Sequence, residues 1–242
     1  MNLIIDVGNT LLKLAVFDKN GFVSKKSCLV SEFEDTLTII SSNYPDISNC
    51  IVSSVGIFSK KQLKALQEKY AVIALTHETK IPFHNEYATP TTLGVDRIAL
   101  ISAAAIQYPD ENVLVIDAGS CVTFDFLTEE NKYLGGAIAP GLQMRYKAVN
   151  TFTASLPLLE TEAPENFIGN TTEQSLHSGI FQGMIFEIEG FIKAYREKYP
   201  HLTVILTGGD AQLLQKNLKK GIFANSIFLL EGLHYILELN KD

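Results

Sequence analysis

The chain has 242 residues, 46% of them apolar, and a formal net charge of −7. A chain of that size buries roughly 70% of its unfolded surface without metal or disulfide staples, and its negative balance excludes broad attraction to nucleic acid or anionic lipid. Cys28, Cys50 and Cys121 make no close pair, no leader precedes the first strand, and the apolar run 98–106 is about half a membrane span. The expectation is a cytoplasmic protein without membrane or nucleic-acid partners.

Alternating and aliphatic runs predict opening strands at 3–7, 11–17 and 22–30, with a hairpin turn at 18–21. Ser31 and Glu34 have capping-box spacing and predict a helix carrying Phe33, Leu37, Ile40 and Tyr44, ended by Pro45. A strand at 51–55, a helix at 59–70 and a strand at 72–75 follow. Residues 76–96 are polar, carry Pro82 and Pro90, and read as a long functional loop over the surface. An alanine-rich helix is expected over 97–108.

The second half repeats the opening with strands at 113–116, 122–127 and 133–138, then a helix from Leu142 and a loop with Pro157 and Pro164. One apolar stripe through Leu176, Ile180, Met184, Ile188, Phe191 and Tyr195 predicts a long helix over 172–199. Gly179 and Gly183, four apart on it, would admit a close backbone. A strand at 203–206 ends in Thr207-Gly208-Gly209-Asp210, a helix begins at Ala211, and an amphipathic helix closes the chain over 232–239.

Two aliphatic runs end in Asp-x-Gly and a small polar residue: Asp6-Val7-Gly8-Asn9-Thr10, and, close to half the chain later, Asp117-Ala118-Gly119-Ser120. A glycine there lets backbone N–H groups approach a bulky anion, a geometry suited to phosphate. Carboxylates beside phosphates repel unless a cation intervenes, so magnesium held through Asp6 and its waters is expected, with a cation or donor at Asp117. Thr10, Lys13 and Ser120 can offer a hydroxyl or ammonium to phosphate oxygens. Lys13 is equally read as an exposed position of an alternating strand, and Ser120 as a turn serine. Gly208-Gly209 can bring backbone against a base or ribose.

The pattern describes an α/β protein of two RNase H-like lobes, 1–110 and 111–242, with a cleft between them, as in actin and the sugar kinases. No Gly-x-x-x-x-Gly-Lys-Ser/Thr and no Gly-x-Gly-x-x-Gly after a strand is present, which removes the P-loop and Rossmann routes. The five histidines show no metal-ligand spacing.

Asp6 to Thr10 with Lys13, Tyr87 and Pro90, Gly94-Val95-Asp96-Arg97, Asp117 to Ser120, Gly135 to Gly141, Gly169 with Thr172, and Thr207 to Ala211 together resemble the type III pantothenate kinases, in order and over nearly the whole chain. The resemblance implies ATP-dependent phosphorylation of the primary hydroxyl of pantothenate, the first step of coenzyme A synthesis. It implies ATP binding by Asp6, Val7, Gly8, Asn9, Thr10, Leu11, Leu12, Lys13 and Ser120, and a monovalent cation, potassium or ammonium, at Asp117. Tyr87, Gly94, Val95, Asp96, Arg97 and Thr172 would line the pantothenate pocket, with Asp96 as base and a homodimer whose site lies at the interface.

Asp96 also suits a helix N-terminus electrostatically, and Thr171 to Gln174 has capping-box spacing of its own. Arg97 is the first candidate for the pantothenate carboxylate. Ser120 stands where the family usually has threonine, and Arg145-Tyr146-Lys147 form a basic cluster at the dimer or the substrate entrance. Alternatives are another small-molecule kinase of the superfamily, or a non-catalytic regulatory accessory protein.

Overall fold

The computed structural model describes residues 1–8, 11–56, 58–219 and 221–241. In chain order it forms β1 (Asn2–Val7), β2 (Leu12–Asp18), β3 (Gly21–Cys28), α1 (Phe33–Asn43), β4 (Asn49–Ser54), α2 (Lys60–Gln67), β5 (Ala71–Ala74), β6 (His84–Asn85) and α3 (Val95–Gln107). There follow β7 (Val113–Ala118), β8 (Cys121–Leu127), β9 (Lys132–Pro140), α4 (Leu142–Thr151) and α5 (Thr172–His177). A π-helical segment, Ser178–Gln182, leads into α6 (Gly183–Lys198), and β10 (Thr203–Thr207), α7 (Ala211–Gln215), β11 (Phe223–Ala224) and α8 (Phe228–Leu239) complete the order.

The contacts divide the chain into two compact units: Met1–Pro109 with Asn131–Tyr133 and Ile227–Asp242, and Asp110–Glu130 with Leu134–Ser226. The sequence reading assigned 111–242 to one lobe; in this division α8 falls with the first unit.

In the first unit the strands lie in the order β3-β2-β1-β4-β5, with β1 antiparallel to β2 and parallel to β4. Alternate residues of these strands, Leu3, Ile5, Val7, Leu12, Leu14, Cys50 and Val52, pack with Phe33, Leu37 and Ile40 of α1 and Leu66 of α2. Each such side chain removed from water contributes about 1.5–3 kcal/mol. Their neighbours Asp6, Lys13 and Ser53 therefore face the opposite side, where α8 packs β1 and β4 and α3 packs β4. The helices α3 and α8 pack on each other. A Cβ on Gly232 would overlap the Ala99 carbonyl, so glycine is what lets them meet so closely.

The second unit repeats that plan. Its strands run β9-β8-β7-β10-β11, with β7 antiparallel to β8, parallel to β10, and β10 parallel to β11. Leu114, Ile116, Phe124, Phe126, Val204 and Leu206 face a core filled by α4, the π segment, α6 and α7. The aspartate of each Asp-x-Gly turn occupies the same place, the last residue but one of the central strand.

Several local expectations need correction. The Ser31 capping box does not form: residues 30–32 make a 3-10 turn in which Glu32 accepts from the Leu29 amide at 2.9 Å, and α1 starts at Phe33. A capping box forms instead at Ser59 and Gln62, and α2 ends at Gln67. The stretch 76–96 does run largely over the surface, as expected, but it is anchored at points along its length. Phe83 and Leu93 are buried, β6 pairs in parallel with Lys132 and Tyr133, and the Asn131 amide donates to the Pro82 carbonyl at 2.7 Å. Helix α3 begins at Val95, two residues early. Among the described residues nothing lies within 4 Å of a Cβ built on Gly179 or Gly183, so no backbone of those residues comes close to either.

Candidate active site

Antiparallel register places Lys13 opposite Asp6, and parallel register places Ser53 on its other side. Lys13 Nζ donates to Asp6 Oδ2 at 3.2 Å. Asp6 is buried, and desolvation raises its carboxyl above the ordinary value, with the Lys13 charge and hydrogen bond opposing and the Asp96 carboxylate adding to the rise. Two carboxylates and one ammonium thus interact within the first unit.

The turn after Asp6 is closed by the Gly8 amide donating to the Leu11 carbonyl at 3.2 Å. Val55 and Gly56 both donate to the Val7 carbonyl, and a Cβ on Gly56 would stand 2.5 Å from the Gly8 carbonyl oxygen. The end of β4 therefore braces the turn through a glycine that sequence reading missed. Val7 and Leu12 put their side chains into the core, so their contact with any ligand is through main chain. Leu11 is exposed. Asn9 and Thr10 lie outside the described residues.

Asp96 occupies the first turn of α3 and accepts from the Arg97 amide at 2.8 Å through Oδ1. Gly94 is the cap residue, and a Cβ on it would overlap that same Oδ1. Arg97 is buried, with its guanidinium carbon 5.5 Å from the centre of the Tyr87 ring and 6.0 Å from that of Tyr133. Tyr87 and Tyr133 stack at 6.1 Å, and Phe83 meets Tyr133 edge-on at 5.9 Å. This aromatic seat fixes the guanidinium plane. Tyr133 was not singled out from the sequence, because its link to the 83–87 segment is a strand pairing between distant residues.

In the second unit, Asp117 lies between Thr123 of β8 and Thr207 of β10. Gly208 has φ +99°, and a Cβ on it would overlap Ala118 O and Asp117 Oδ1. The Asp210 amide donates to the Ala118 carbonyl at 3.0 Å and the Gly141 amide to that of Ser120 at 3.1 Å, so two glycine-bearing segments hold this turn. Gly209 has nothing within 4 Å of its Cβ position among the described residues. Ser120 is exposed. At the start of α5 the cap is Thr171, whose hydroxyl accepts from the Gln174 amide at 3.2 Å, leaving Thr172 as the first helical residue.

Arg145, Tyr146 and Lys147 do not form one basic patch. Arg145 is paired with both carboxylate oxygens of Glu187 at 2.8 and 2.9 Å, Tyr146 is buried and bonds His177 at 2.8 Å, and Lys147 is exposed. No group of three or more metal-ligating side chains occurs among the described residues. Cation binding here would rest on a few oxygens plus ligand or water, as is usual for magnesium.

A family model described as type III pantothenate kinase matches residues 2–194. A type III pantothenate kinase of Christiangramia forsetii is 49% identical over 241 residues, covering 100% of this chain and 99% of that protein. A Campylobacter jejuni protein described, as an inferred assignment, as a conserved Baf family transcriptional activator superposes with TM-score 0.66 at 22% identity, covering 98% of each chain. Glucokinase from an Antarctic psychrotroph superposes with TM-score 0.53 at 14% identity, covering 99% of each. At those identities the likeness is one of fold: α/β, with two RNase H-like lobes.

Proposed function

The chain belongs to the type III pantothenate kinase family, kinases that phosphorylate pantothenate with ATP in coenzyme A biosynthesis, and we propose that Asp6, Lys13 and Asp96 form the core of its reaction centre. The observation that carries this reading is the buried Asp6 carboxylate, held by Lys13 at 3.2 Å and raised in proton affinity by burial and by Asp96. A carboxylate so placed gains from a cation, which fits magnesium held through Asp6 and its waters. Bound there, the metal would neutralise charge on the phosphates being transferred.

In this reading the segment from Asp6 to Lys13, with Val7, Gly8, Asn9, Thr10, Leu11 and Leu12, binds the ATP phosphates, and Lys13 leaves Asp6 for a phosphate oxygen. Ser120 offers its exposed hydroxyl to the nucleotide. Asp96, held by its hydrogen bond from the Arg97 amide, orients the pantothenate hydroxyl and accepts its proton late in the transfer, which suits a loose transition state. Arg97, on its aromatic seat, binds the pantothenate carboxylate. Tyr87, Gly94, Val95 and Thr172 complete the pocket.

Asp117, flanked by the hydroxyl-bearing Thr123 and Thr207, brings a carboxylate beside two hydroxyl-bearing neighbours, oxygen donors of the kind that suit potassium or ammonium. Phe152, Ile168, Phe167 and Ile138 are among the most exposed large apolar residues, at 85%, 79%, 67% and 64%, and all belong to the second unit. Apolar exposure of this kind supports a homodimer, with the active site shared at its interface. No helix among the described residues is long and apolar enough to cross a membrane, and we assign the enzyme to the cytoplasm, where the free Cys28, Cys50 and Cys121 stay reduced.

An acceptor panel tests the reading. Purified protein with magnesium ATP should convert pantothenate to 4'-phosphopantothenate and leave glucose untouched. Preferred turnover of a sugar would overturn the acceptor assignment, and a monomer by sedimentation at assay concentration would overturn the shared site.

A further inference from the structure

Ser53 is wholly buried, yet its Oγ has no hydrogen-bond partner among the described residues. A lone buried hydroxyl is destabilising, and most such groups in folded proteins are satisfied. Its position supplies the reason for keeping it. Parallel register sets Ser53 beside Asp6, on the same sheet face and opposite to Lys13. Across β2, β1 and β4 the row reads Lys13, Asp6, Ser53. In the second unit the counterpart of Lys13 on the antiparallel neighbour, Thr123, lies across from Asp117, and its buried Oγ1 is likewise without a hydrogen-bond partner among the described residues.

We infer that Ser53 is a positioning residue for Asp6: its hydroxyl donates to the Asp6 carboxylate once Lys13 turns from that carboxylate to a phosphate. In this structure Lys13 holds Asp6 through Oδ2, and the Ser53 hydroxyl has no hydrogen-bond partner among the described residues. When nucleotide draws the ammonium away, the buried carboxylate would lose the ion pair it makes with Lys13. The hydroxyl then replaces that donor and fixes the carboxylate's orientation toward the metal waters. The inference rests on Asp6 serving the nucleotide's metal.

The test is calorimetric titration of the full-length protein with a magnesium-loaded, non-hydrolysable ATP analogue, together with melting curves in its absence and presence. Ser53→Ala should weaken binding about tenfold while leaving the unliganded melting temperature equal to or above that of the native protein. Ser53→Cys, close in shape but a poor donor, should follow alanine in binding. Unchanged affinity in Ser53→Ala, or native affinity in Ser53→Cys, would overturn the inference, as would an unliganded melting temperature lowered in Ser53→Ala with affinity preserved. Asp6→Asn serves as the control: if it binds the magnesium nucleotide as tightly as the native protein, the premise about Asp6 has failed rather than the role of Ser53.

Discussion

Asp6 and Lys13 face one another across the β1–β2 pair and close an ion pair of 3.2 Å, with the carboxylate buried and the lysine side chain 40% exposed. The exposed partner is the one able to move. Lys13 thus neutralises Asp6 in the free protein and can swing to an anion, while Asp6 stays fixed in the sheet.

The raised carboxyl of Asp6 gives a pH-dependent cost. Burial is the largest cause, and the folded value lies above the ordinary 3.8. Stability from this group is then fully present below 3.8 and is lost as pH rises through the folded value. In metal-free buffer, Asp6→Asn should melt higher than the native protein at neutral pH, and the difference should vanish in acid. A lower melting temperature at neutral pH would contradict the desolvation argument. The same variant should lose nearly all kinase activity.

Gly94 separates geometry from chemistry at Asp96. Its φ is −58°, which alanine tolerates, but a Cβ would overlap Asp96 Oδ1. Gly94→Ala should reduce kcat by about tenfold or more with a small change in melting temperature, because displacing a reacting group by an ångström is costly. Asp96→Asn should lower kcat by roughly 10²–10⁴ with the fold intact by circular dichroism. Undiminished turnover in that variant would remove Asp96 as the base.

Much of this arrangement is legible in the residues themselves. Asp6 and Lys13 lie on the two arms of one short turn, so alternation alone puts them on one face. The repeated Asp-x-Gly strands likewise announce two sheets of one plan. Ser53, Gly56 and Tyr133 are not legible, since they reach the site through parallel pairings between distant residues. The start of α3 is not marked in the residues, because Val95 and Asp96 follow a glycine that carries no capping side chain. Likewise, Ser31 lost to Glu32, which caps the preceding amide at Leu29 with its longer side chain.

In the proposed pocket Arg97 would bind by plane as well as charge, its guanidinium carbon lying 5.5 Å from the Tyr87 ring centre. Arg97→Lys keeps the charge but loses the flat fork. Steady-state kinetics should show KM for pantothenate rising about tenfold with KM for ATP unchanged. An equal rise in both would place Arg97 outside the pantothenate pocket.

Potassium should stimulate turnover and sodium should replace it poorly, if the carboxylate of Asp117, set between Thr123 and Thr207, holds the monovalent cation proposed for it. Asp117→Asn should abolish the difference between the two salts. Equal rates in potassium and sodium for the native enzyme would dismiss the cation assigned to Asp117.

The most direct measurement is a crystal structure with pantothenate and a magnesium-loaded, non-hydrolysable ATP analogue bound together. The account predicts the primary hydroxyl of pantothenate within roughly 3 Å of an Asp96 carboxylate oxygen, with the magnesium waters on Asp6 and Lys13 on a phosphate. A pantothenate hydroxyl directed away from Asp96, or a metal held without Asp6, would contradict it.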